Sequence, residues 1–165
     1  MRPGYGIADV SILARSPATR WSLAVLGPLT LTLALVSGGA AFLGELTQLG
    51  GTDGCVRETP VAGDCADGFA LVGAFSVAVS RDGKNVYVAS ATSDAVAVFA
   101  RDKLTGKLLQ LGSQGGCVSE TGTGGLCANG KALDGAQSVA VSPDGKHVYV
   151  ASFGSAAVAV FMRAP

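Results

Sequence analysis

The segment Ser76-Val77-Ala78-Val79-Ser80-Arg81-Asp82-Gly83-Lys84-Asn85-Val86-Tyr87-Val88-Ala89-Ser90 returns 62 positions later as Ser138-Val139-Ala140-Val141-Ser142-Pro143-Asp144-Gly145-Lys146-His147-Val148-Tyr149-Val150-Ala151-Ser152. The cysteines keep the same offset, Cys55 recurring as Cys117 and Cys65 as Cys127. Residues 44–103 align on 106–165 without a gap, and more than half of the aligned positions are identical. Self-similarity at one fixed spacing constrains a chain strongly. Each unit is one supersecondary element that cannot bury its apolar face alone and must stack on its neighbours.

Within a unit the pattern is that of strands. Alternating Val and small residues at 75–80 lead into Arg81-Asp82-Gly83-Lys84, and Asp-Gly between alternating segments is a strong hairpin signal. A second strand is expected at 85–90, a third at 95–101 and a fourth at 107–112, joined by turns at 91–94 and 102–106. The expected fold class is therefore all-β: four-stranded antiparallel meanders on a 62-residue repeat. The second unit runs from 137 to 165 and lacks its outer strand, whereas a lone leading strand is expected at 46–49. The 24 glycines and the low share of charged residues, 15%, suit short strands joined by tight turns.

In Val77-Ala78-Val79 and Val96-Ala97-Val98 the residue between the valines is also apolar. The inner strands are then covered on both faces, as in blades stacked around a propeller axis. Ser-Pro-Asp-Gly-Lys at 142–146, the Val-Tyr-Val-Ala-Ser strand after it, the Ala-Val-Ala-Val-Phe strand and Thr105-Gly106-Lys107-Leu108 resemble the blade of the lactonase-like, YVTN-type β-propellers of bacteria. The resemblance covers residues 44–165 and implies an incomplete propeller: a leading outer strand and disulfide loop at 42–74, blade 1 at 75–112, a second disulfide loop at 113–136 and blade 2 at 137–165. Propellers close with about four to eight blades. The expectation is an N-terminal piece of a longer propeller, partnered by further blades of the same chain; the alternative is that several short chains assemble into one ring.

The first 41 residues belong to another class. Arg2, Arg15 and Arg20 precede an apolar run at 23–36, and small residues follow at Ser37-Gly38-Gly39-Ala40-Ala41. That order is the layout of a secretory signal peptide with cleavage after Ala40 or Ala41. A retained, helical membrane anchor is the alternative, since 21–43 carries no charge and has the length to span a bilayer. Positive charge stays inside, so both expectations place the repeats outside the cytoplasm, secreted or anchored. An even number of cysteines at matched positions in an exported chain reads as disulfides. Three pairings are possible, and the repeat favours Cys55–Cys65 and Cys117–Cys127, because a bond internal to a unit is duplicated with it. A zinc site would want cysteines two to four residues apart and a second histidine beside His147, so no metal is expected.

Candidate chemistry is sparse. The long connections 51–74 and 113–136 carry the cysteine pairs, Glu58-Thr59 and Glu120-Thr121. They read either as a binding rim or as stapled covers over blade edges, and their likeness favours covers. Asp82 and Asp144 are explained by the hairpin turn, Tyr87 and Tyr149 by packing with a bonded hydroxyl, and His147 by an exposed strand start. There is no Gly-x-Ser-x-Gly, Walker loop or paired-histidine motif, and neither a catalytic residue nor a cofactor is expected. With 12 basic and 12 acidic residues the chain has no net charge, and no basic stripe points to nucleic acid or anionic lipid. The expected function is that of an exported scaffold for an extracellular ligand or protein. Part of the family resembles 6-phosphogluconolactonase or carboxymuconate cyclase, which implies the alternative of an enzyme whose site is built mostly by other blades.

Overall fold

In chain order β1 (Val56–Glu58) and β2 (Ala66–Gly68) form a parallel pair, set apart from the larger sheets. This computed structural model describes residues 44–59 and 63–164. The N-terminal stretch 1–41, with its expected helix and its signal or anchor role, lies outside the described residues. The Val-rich segments then fold as the hairpin signals dictate. β3 (Ala74–Val79), β4 (Asn85–Ser90) and β5 (Ala95–Arg101) are antiparallel neighbours, and β6 (Leu108–Gln110) adds to the outer edge of β5. β7 (Cys117–Ser119) and β8 (Ala128–Asn129) follow, and the second unit repeats the meander as β9 (Ala136–Val141), β10 (His147–Ser152) and β11 (Ala157–Met162). Among the described residues there is no α-helix, and the fold is all-β.

The two meanders keep one register. Val77 faces Val88 and Val86 faces Phe99 in the first; Val139 faces Val150 and Val148 faces Phe161 in the second. Side-chain alternation therefore sorts each sheet into two apolar faces. One face of the first sheet packs on one face of the second, and the shared core contains Tyr87, Ala89, Val96, Val139, Val148 and Val150. On the other face of the first sheet Val86, Ala97 and Phe99 are covered by Val56, Leu71 and Leu108. This is the stacking of adjacent propeller blades, with the small alanines allowing the sheets to approach.

The structure departs from the expected elements in three places, the first being the connection 51–74, which carries the strands β1 and β2. The segment 46–49 is not a strand, although its repeat equivalent Leu108–Gln110 is. β6 exists because the edge of β5 pairs with its backbone; no such edge stands beside 46–49 among the described residues, and Leu46 is 96% exposed. A lone strand has no partner for its N–H and C=O groups. Nor is 113–136 wholly a loop. After a single 3₁₀ turn at Ser113–Gly116 the chain returns to β5, where β7 pairs Val118 with Val96 and Cys117 with Ala97, and β8 then runs parallel to β7. The fourth strand of the first blade is thus split, β6 holding one half of the β5 edge and β7 the other.

Candidate functional site

The side chains with chemical potential gather along the seam between the two units, and the hairpins place them there. At the first hairpin the Ser80 hydroxyl donates to Asp82 Oδ1 at 2.6 Å and accepts the Asn85 N–H at 2.9 Å, and the same Asp82 oxygen accepts the Lys84 N–H at 3.1 Å. Gly83 sits at φ +70°, a conformation that the turn requires and glycine adopts without strain. The second hairpin copies it: Ser142 donates to Asp144 at 2.5 Å, and Asp144 accepts the Lys146 N–H at 3.0 Å. One oxygen of each aspartate is consumed by its own turn, as expected.

The second oxygen of Asp82 has a further partner. Arg163, one residue beyond β11, reaches across the seam and donates from Nη2 to Asp82 Oδ2 at 2.7 Å and to Asn85 Oδ1 at 2.9 Å. Its Nε donates to the Tyr87 hydroxyl at 3.0 Å and its Nη1 to the Gly145 carbonyl at 3.1 Å. One planar guanidinium therefore clasps three side chains of the first unit while anchored to the hairpin of its own, a geometry that the five fixed donors of arginine suit. The ordinary acidity of these groups moves accordingly. The Ser80 hydroxyl, the Arg163 guanidinium and the Lys84 N–H hold the Asp82 carboxyl well below the usual carboxylate range. Burial raises the Tyr87 phenol, with Arg163 opposing it, and the Asp82 carboxylate raises Arg163. Asp144, with its Ser142 bond, is lowered as well.

Other expected sites resolve into structure. The Glu58 carboxylate accepts the N–H groups of Leu71 and Val72 at 2.6 and 3.0 Å, and Glu120 accepts that of Leu133 at 2.5 Å. Both glutamates tie down the returning ends of their cysteine segments. Disulfides join Cys55 to Cys65 and Cys117 to Cys127, each with a Cα separation of 4.8 Å. His147 and Tyr149 lie side by side with ring centroids 6.4 Å apart, on the face of the second unit that the first does not cover. Between the units, where β11 has a free outer edge, a cleft of about 230 Å³ is walled by Val98, Leu111, Val118 and Phe161, with Asn85, Tyr87 and Arg163 as its polar groups. Among the described residues no group of three or more His, Cys, Asp and Glu side chains is placed to hold a metal ion, and no helix is long and apolar enough to cross a membrane.

Three contacts across the seam were not among the expected sites. The Gly135 N–H donates to Asp94 Oδ1 at 2.7 Å, Arg81 Nη1 donates to the Pro143 carbonyl at 2.6 Å, and the Val139 N–H donates to the Ser76 hydroxyl at 3.3 Å. Arg163 itself had one sequence signal, its recurrence with Arg101 at the repeat offset just after the third strand.

No protein-family model and no curated protein matches the chain. Among solved structures, a candidate 6-phosphogluconolactonase from Bacteroides uniformis aligns at 21% identity and a TM-score of 0.44 over 63% of this chain and 26% of its own. One from Bacteroides fragilis aligns at 23% and 0.43 over 63% and 25%. A functionally unknown protein from Desulfotomaculum acetoxidans aligns at 22% and 0.39 over 62% and 28%. The chain spans about a quarter of the length of these structures.

Proposed function

We propose that this chain is an exported scaffold of β-propeller blades of the YVTN type, which works by presenting surfaces to an extracellular ligand or protein. One observation carries the reading. The polar side chains that sequence offered for chemistry are engaged in holding the fold: Asp82 and Asp144 in their turns, Glu58 and Glu120 on backbone N–H groups, Tyr87 under Arg163. A general base needs a lone pair facing a substrate and a partner to orient it, and at least one oxygen of each of these groups is already bound to a neighbour that holds the fold. The cleft by Arg163 is walled mainly by aliphatic and aromatic side chains, which suits contact more than proton transfer.

Export is the second half of the proposal. It is supported by two disulfides, which persist in oxidising compartments, and by the basic, apolar, small order of residues 1–41. The test has two arms. The purified full chain should leave 6-phosphogluconolactone hydrolysing at the buffer rate; a rate that rises in proportion to protein would replace the scaffold by the lactonase-like enzyme. Expressed from its own start in a bacterium, the chain should fractionate outside the inner membrane with its four cysteines unreactive to maleimide. A cytoplasmic product with free thiols would remove the export reading.

A further inference from the structure

The seam between the two units has two sides, and each side recurs at the far end of the pair, where no described residue covers it fully. The first unit meets the second with Tyr87, Val96 and Val98, of which Tyr87 and Val96 are 7% and 3% exposed. Their repeat equivalents on the second unit are Tyr149, Val158 and Val160, which are 39%, 60% and 61% exposed. The second unit meets the first with Val139, Val148 and Val150, all buried in the shared core. Among the equivalents on the first unit Val86 is roofed by Val56 and Leu71, but Val77 on β3 is 64% exposed and borders a shallow apolar groove with Phe75 and Val88.

The polar clasp is divided in the same way. Arg101 holds the carbonyl of Gly83 as Arg163 holds that of Gly145, at 3.2 and 3.1 Å. No tyrosine hydroxyl or aspartate receives its remaining donors among the described residues. At the opposite end Asp144, His147 and Tyr149 repeat the positions of Asp82, Asn85 and Tyr87 without a guanidinium to receive among the described residues. One open face thus carries the cation with an apolar inner strand; the other carries the anion with an apolar sheet. Apolar strands exposed in this way are rarely left to solvent.

We infer that these faces are the two halves of a single head-to-tail interface, and that a second copy of this chain docks on it, with Tyr149, Val158 and Val160 of one copy against the β3 face of the other and Arg101 entering the Asp144, His147 and Tyr149 positions. The contact repeats the pattern of the one formed within the chain, with His147 standing where the seam has Asn85. A head-to-tail contact gives rings or filaments according to whether its rotation closes. The inference is independent of what the scaffold binds and of its export.

The test uses the full chain in a mild non-ionic detergent, followed by sedimentation velocity at tens of micromolar. The unaltered chain should self-associate; a chain that sediments as a monomer at that concentration overturns the inference. Val77→Asp and Val158→Asp each spoil one face at a residue exposed in the single chain. Each variant alone should be monomeric, because its intact face finds only a spoiled partner face. Mixed in equal amounts they should form a one-to-one pair, since each retains the half that the other lacks. Association of either variant with itself, or a mixture that stays monomeric, overturns the inference. If an aspartate variant fails to fold, Val77→Thr and Val158→Thr preserve the side-chain shape and should each weaken association about tenfold; no weakening would count against it.

Discussion

Tyr87 and Tyr149 occupy one repeat position, follow the same hairpin and pair with the same kind of strand, yet 7% of one is exposed and 39% of the other. Cys117 and Cys127 lie in the core, β7 zipped to β5, while their equivalents Cys55 and Cys65 are only half-buried on a β1–β2 pair that joins no larger sheet. Arg163 grips three side chains across a seam and Arg101 holds a single turn carbonyl. In each pair the local sequence is nearly constant and the neighbour is what differs. Stability in such an array is a sum of unit terms and nearest-neighbour terms, and here one molecule displays the unit with the neighbour and without it.

The largest expected contrast is in the apolar core. Leu133 is fully buried in the seam, whereas its equivalent Leu71 is partly buried against the first sheet. Leu133→Ala should cost about 3 kcal/mol, the usual range for a buried leucine, and Leu71→Ala about half of that or less, measured by urea unfolding. Equal costs would mean that both units are buried alike in solution, as they would be if a partner covered the first.

The disulfides come next. Closing a loop of sequence separation 10 is worth about 2–3 kcal/mol by chain entropy. The Cys117→Ala, Cys127→Ala pair should lose that amount, because β7 and β8 unfold together with the sheet they extend. The Cys55→Ala, Cys65→Ala pair should lower the main transition by less, since the β1–β2 segment is held mainly by Glu58 and its apolar contacts. Thermal melts of the two double variants decide the order.

A smaller gap separates the two arginines. Arg163→Ala leaves the buried Tyr87 hydroxyl without its donor, which should cost about 2 kcal/mol. Arg101→Ala removes one contact to an exposed turn and should stay within about 0.5 kcal/mol. A similar loss in both would show that the first unit is clasped from outside.

Much of the fold was legible because the unit is written twice. β4 and β5 fall at 85–90 and 95–101 as the Asp-Gly turn and the Val alternation require, and β3 begins one residue early, at Ala74. The disulfide pairing in the structure is the one that duplication favours. What escaped is what depends on a neighbour. β7 and β8 are three and two residues long inside a Gly- and Thr-rich stretch, too short for an alternation to register, and they form only because the half-edge of β5 not taken by β6 is open to β7. The segment 46–49 carries the strand pattern and lacks the edge. Sequence reading also weighed histidine, tyrosine and acid as the residues with chemistry, and passed over the arginine that organises them from 76 to 81 residues away.

The finest contrast is in acid. Asp82 and Asp144 make the same turn, and each carboxyl is held below its ordinary value, first by its serine hydroxyl. Asp82 has the Arg163 guanidinium in addition. A carboxylate whose folded-state pKa is depressed adds stability that is fully present above the unfolded value of about 4, and that is lost as pH falls below it toward the folded-state value. The chain should therefore hold its melting temperature from pH 7 to about 5 and lose it below about pH 4. Asp82→Asn removes the pairing with Arg163 as well as the turn charge. That variant should melt lower than the unaltered chain at pH 7, and the gap should narrow progressively as pH falls below about 4. Asp144→Asn, which removes only a turn charge, should shift the pH 7 melt less and flatten the acid limb less. Superimposed acid limbs for the two variants would show that Asp144 too is engaged by a cation, as it would be with Arg101 of a second copy seated on it.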